Sequence, residues 1–186
     1  MADRPRHAGG IWVSSDVAAD GTYIVTVDYD DNHSRPLDRD TAVRYATTVL
    51  DACQYAEHDA AILAQLTKKL RIPVQAAAEF IAELRQDRPP LDCAALTPLG
   101  LEPGISARTR RPFLVLYLDG QPWAQWDVAD GRQHAHAVLD AVPAVDLDAA
   151  YYRRLTGAMG VDPDQARQVI HDLANFRDDP LEHDDA

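Results

Sequence analysis

Four pairs of carboxylates recur along the chain about 89 residues apart: Asp30 and Asp119, Asp38 and Asp127, Asp51 and Asp140, and Asp59 and Asp148. Paired carboxylates can divide acid and base work when their surroundings push their protonation apart. Three of the pairs have a plainer explanation. Asp30 and Asp119 fall in turns. Asp38, Asp59, Asp127 and Asp148 each precede a run of apolar residues at helical spacing, where a carboxylate can cap the unpaired N–H groups of a helix start. Asp51 and Asp140 have no such account, because they lie inside a helical run beside its apolar stripe, where aspartate is a poor helix former. They form the candidate polar site. An ion pair with Arg44 or Arg132 is the structural alternative.

The other residue types able to do chemistry are scattered. His134 and His136 are two apart, and helical positions two apart point in different directions, so the pair is a poor metal chelate and reads as partly exposed helix surface. Cys53 lies on an apolar stripe and reads as a buried free thiol, and Cys93 has no counterpart one repeat away. There is no glycine-rich phosphate loop, nucleophile elbow or metal-ligand spacing. The sequence therefore assigns no catalytic residue, no cofactor and no metal.

What positions these residues is a repeat. Val49-Leu50-Asp51-Ala52, Asp59-Ala60-Ala61 and Leu66-Thr67 return as Val138-Leu139-Asp140-Ala141, Asp148-Ala149-Ala150 and Leu155-Thr156. Displacing residues 23–88 by about 89 positions matches roughly a quarter of them without a gap, which reads as a tandem duplication. Each unit predicts strands followed by helices, an α+β design with a small antiparallel sheet of two to three strands and about three helices. In the first unit the strands are Ile11–Val17, Thr22–Tyr29 and a short His33–Leu37. In the second they are Gly100–Arg108, Phe113–Leu118 and Pro122–Val128, with Asp119-Gly120 as a two-residue hairpin turn. Helices are expected after Asp38 and Asp127, after Asp59 and Asp148, and after Pro73 and Pro163, with Pro143 stopping the first helix of unit two. The units span residues 10–88 and 100–177, joined by a proline-rich linker at 89–99 and flanked by disordered ends at 1–9 and 178–186.

The two sheets differ on one face. Where unit one has Ile24, Thr26 and Asp28, unit two has Phe113, Val115 and Tyr117, and Trp126 is expected to join them from across the hairpin. A sheet wet on one side alternates apolar with polar, so something covers this face: the other unit, the linker, a partner protein or a second copy. Phe113, Val115, Tyr117 and Trp126 are the candidate interaction surface.

A net charge of −12 disfavours attraction to nucleic acid or anionic membranes. The basic runs Lys68-Lys69-Leu70-Arg71 and Arg108-Thr109-Arg110-Arg111 are local exceptions. Residues 66–77 have the cadence of a helix-turn-helix, yet the following helix carries Glu79, Glu83 and Asp87 where a reader of DNA needs basic and amide groups. No apolar run is long enough to cross a membrane and no leader pattern opens the chain, so the expected location is cytoplasmic. The leading expectation is a non-enzymatic protein-binding or regulatory protein acting through a protein partner or self-association, with specific nucleic-acid binding unfavoured. A nucleic-acid-associated factor or acidic DNA mimic is one alternative, and an unrecognised hydrolase or transferase centred on Asp51 and Asp140 another.

Overall fold

A computed structural model describes residues 11–17, 22–29 and 34–178, with side chains as far as 173. The expected disordered ends and the turns at Ala18–Gly21 and Asp30–Asn32 lie outside the described residues. The chain is α+β, with two three-stranded antiparallel sheets and helices.

The first sheet contains β1 (Trp12–Val17), β2 (Tyr23–Asp28) and β3 (Ser34–Leu37) in that order. Alternation places Tyr23, Val25 and Val27 on its core face, and these are at most 8% exposed. The second contains β4 (Leu99–Ile105), β5 (Pro112–Leu118) and β6 (Gln121–Asp127). Its core face carries Leu101, Leu114, Leu116 and Trp126. Asp119 and Gly120 close the β5–β6 hairpin with φ of 50° and 76°, the left-handed pair expected of a primed turn.

Each sheet is followed by a 26-residue helix, α1 (Arg39–Ala64) or α4 (Val128–Arg153). Asp38 and Asp127 cap them as expected, accepting from Thr41 N at 2.7 Å and Asp130 N at 2.9 Å. The break expected before Asp59 and Asp148 does not occur. Both aspartates lie inside a continuous helix, in its C-terminal part, and are fully buried, so they are not caps. Pro143 likewise sits inside α4 and does not stop it.

Both long helices end in a single π-helical turn, Gln65–Lys69 and Arg154–Ala158. A left-handed residue follows, Arg71 at φ 55° and Gly160 at φ 65°. The amide of the next residue then bonds back to Leu66 or Leu155 at 3.0 Å, which satisfies a terminal carbonyl and turns the chain. The shorter helices α2 (Val74–Gln86) and α5 (Pro163–Asp178) come next. Between α2 and β4 the proline-rich stretch carries a one-turn helix, α3 (Cys93–Leu96), whose Leu96 is fully buried.

The long helices exchange sheets. α1 lies chiefly on β4 and β5, and α4 on β1 and β2, while the two helices pack along each other. They run antiparallel, since Arg39 reaches Asp146 at 2.6 Å near one end and Arg132 grips Glu57 near the other. Gly131 allows the close approach. A Cβ there would lie 2.8 Å from Cys53 Sγ and 3.0 Å from Leu114 Cδ1. One continuous core results, drawing on both sheets and both long helices.

Candidate binding cleft

The outer face of the second sheet is not buried flat against another layer. Phe113, Val115 and Tyr117 are half-buried and line a cleft of about 600 Å³. Its opposite wall is α2, through Val74, Ala78 and Ile81, with Leu63 from the end of α1. A small apolar cluster of Leu63, Ala77 and Ile81 joins α2 to α1, and Ile105 of β4 packs against it at one end.

Local sequence explains the shape of each wall. Gly104 pairs with Phe113 across the strands, and a Cβ at 104 would lie 2.7 Å from Phe113 Cζ, so the glycine makes room for the distal end of the ring. The pairing slips by a residue between Leu116 and Tyr117, leaving Trp123 of β6 as the unpaired residue of a bulge opposite Tyr117. Its hydroxyl donates to Glu102 Oε2 at 2.8 Å, and this bond, before any burial, holds the phenol above its ordinary protonation range.

Trp126 departs from the expected surface. It pairs with Leu114, not with Phe113 or Val115, and strand alternation therefore places it on the core face, where it is 1% exposed. Its ring lies 5.0 Å from His134. His134 is correspondingly buried, at 2% exposure, where partial exposure was expected. Its Nε2 is 2.9 Å from the hydroxyl of Tyr45, so the polar pair sits between the two long helices. Burial with this hydroxyl, more than any charge, pushes the Tyr45 phenol well above its usual value.

The candidate polar site does not assemble. Asp51 and Asp140 are both exposed. The arginines expected to pair with them are engaged elsewhere, Arg44 with Asp92 at 2.6 Å and Arg132 with Glu57. Helix rotation is the reason, because each aspartate lies two residues past buried Val49 or Val138, roughly 200° around the helix, and so points outward.

Sequence reasoning missed the carboxylates that matter structurally. Asp59 accepts from Arg85 Nε at 2.8 Å and from Arg88, binding α2 to α1 at the edge of the cleft. Asp148 accepts from Ser15 Oγ of β1 at 2.7 Å. For Asp59 the available signal was the absence of any helix-breaking residue nearby, which argued for one long helix; at Asp148 Pro143 obscured it.

No family model, curated protein or solved structure matches the chain. No helix among the described residues is long and apolar enough to cross a membrane. Among the described residues no group of three or more histidine, cysteine, aspartate or glutamate side chains gathers around a possible ion.

Proposed function

We propose that the protein is a non-enzymatic binding or regulatory protein, built from a duplicated β–β–β–α–α unit, that takes an apolar segment of a partner protein into the cleft between β5 and α2. The observation that carries this reading is the change of Ile24, Thr26 and Asp28 to Phe113, Val115 and Tyr117 at the corresponding strand positions, together with the cleft these residues line. The duplication is supported by the helix boundaries, since α4 and its π turn follow α1 and its π turn about 89 residues later. A cleft of about 600 Å³ falls in the range that holds a few buried side chains. Two free cysteines suit a reducing compartment, so we place the protein in the cytoplasm.

The test is capture from a native extract by the full chain and by Tyr117→Asp. The charge should abolish capture of the partner while the variant melts as a folded protein. A folded variant that still captures the same protein would defeat the reading.

A second reading, self-association, has its own support in an apolar patch on α4, its π turn and α5. Met159 is 65% exposed there, with Leu147, Tyr151, Val169 and Leu173 beside it. Light scattering on wild type and Met159→Glu separates this reading, which requires a dimer or larger species that the variant loses.

A further inference from the structure

The two basic turns of this acidic chain come together at one end of the apolar cleft. Leu66 and Ile72 flank the turn carrying Lys68, Lys69 and Arg71, and both pack on the cluster of Leu63, Ala77 and Ile81. Ile105 packs on the same cluster and leads straight into the second turn, which carries Arg108, Arg110 and Arg111 and is closed by Ser106 N donating to Arg111 O at 2.9 Å. Arg110 itself lines the cleft.

These six side chains are exposed, and none has an ion pair or a side-chain hydrogen bond among the described residues. The other charged groups lining the cleft are engaged, Arg85 by Asp59 at 2.8 Å and Glu102 by the Tyr117 hydroxyl. A third of the chain's 18 lysines and arginines thus borders one end of an apolar groove without a countercharge among the described residues. Backbone geometry singles out two of them. Arg71 and Arg110 have φ of 55° and 61°, in the left-handed region that favours glycine. After the π turn of α4 that place is taken by Gly160, at φ 65°, so a turn of this kind does not call for arginine.

We infer that the partner segment taken into the cleft is acidic beyond its apolar part: its apolar side chains meet Phe113, Val115 and Tyr117, and aspartates or glutamates next to them meet the six cations. This inference rests on the cleft being the binding site. A protein segment fits better than a nucleic acid. The cations border an apolar groove, and the exposed Glu79, Glu83 and Asp87 of α2 and its C-terminus would repel a phosphate backbone extending along that helix.

A panel of fluorescein-labelled peptides, titrated with the full chain at low salt and read by polarisation, tests this. Each peptide joins a half rich in leucine and phenylalanine to a run of glutamates or, as a control, of lysines. Glutamate peptides should bind saturably, lysine peptides should not, and high salt should weaken the binding. The double variant Arg71→Gly, Arg110→Gly suits the left-handed backbone and should melt like wild type, yet bind roughly three- to tenfold more weakly, the effect of two exposed charge pairs. The inference is overturned if no glutamate peptide binds, if lysine peptides bind equally, if the folded double variant binds as wild type does, or if duplex DNA or phosphatidylglycerol vesicles bind more tightly. Salt-sensitive dimerisation that the double variant loses would overturn it as well, by giving the site to a second copy. Tyr117→Asp separates this inference from the cleft reading beneath it. Binding lost there but kept in the double variant leaves the cleft and removes the acidic half, whereas binding lost only in the double variant removes both.

Discussion

Replacing Asp59 by alanine should be among the most destabilising single changes at a polar residue of this chain. The carboxylate is fully buried and takes bonds from two guanidinium groups, Arg85 and Arg88, whose side chains are 36% and 14% exposed. Breaking a buried ion pair by removing one partner costs about 3–5 kcal/mol, because the remaining charge is left without compensation. Here two like charges remain, but Arg85 can turn to water and Arg88 keeps the Tyr55 ring at 5.1 Å, so the lower end, about 3 kcal/mol, is expected. Asp59→Asn keeps the shape and one acceptor and should cost less. The control is Asp146→Ala, which breaks a pair whose side chains are 64% and 54% exposed and should cost less than about 1 kcal/mol. Urea unfolding of the three variants, compared at equal slope, gives the differences directly. An Asp59→Ala loss no larger than that of Asp146→Ala would refute the account of α2 as a helix held by a buried carboxylate.

Three further outcomes follow from the helix crossing and the thiols. Gly131→Val should lower stability by about 1–3 kcal/mol through overpacking against Cys53 and Leu114, measurable by thermal melting, whereas Gly157→Ala, with open space around its Cβ, should not. A thiol reagent at neutral pH should modify exposed Cys93 at once and buried Cys53 only as fast as the chain opens; equal rates would contradict the core described here. Burial pushes the Cys53 thiol up to about 11, from an ordinary value of 9.0. Because the folded value is the higher one, the associated stabilisation is complete below pH 9 and disappears as pH rises through about 11, so Cys53→Ala should flatten the alkaline loss of stability.

Capping and turn chemistry were legible in the sequence, because both are local. Asp38 and Asp127 lie directly before their helices and bond to amides three residues on, and Asp119-Gly120 requires left-handed backbone wherever it stands. Burial across units was not legible. Asp59 and Asp148 resemble caps within a window of ten residues, and only their distant partners, Arg85 and Arg88 for one and Ser15 for the other, show them to be interior groups. Trp126 was misplaced for a related reason: strand pairing, and not the count of aromatic residues, decides which face a side chain occupies.

The exchange of helices between sheets ties these observations together. Under the proposed duplication Tyr45 and His134 are counterparts, and they meet at the helix crossing as residues near a two-fold axis meet their copies in an isologous dimer. The same exchange places the sheet of one unit against the short helix of the other, which is how β4 and β5 come to face α2 across the cleft and β1 comes to face α5. On β1 and β4 the residues opposite the core positions Val25 and Leu114 are Ser15 and Pro103: the serine bonds to Asp148, whereas the proline has no hydroxyl to offer and Asp59 accepts from Arg85 and Arg88. Substitutions on the two strands should act differently. Gly104→Ser would drive its side chain into the Phe113 ring, while Ser15→Gly would remove a bond from a buried carboxylate without creating a steric conflict. In the proposed duplication the two halves have diverged at the contacts they exchange, a buried carboxylate meeting a strand serine in one and two arginines in the other.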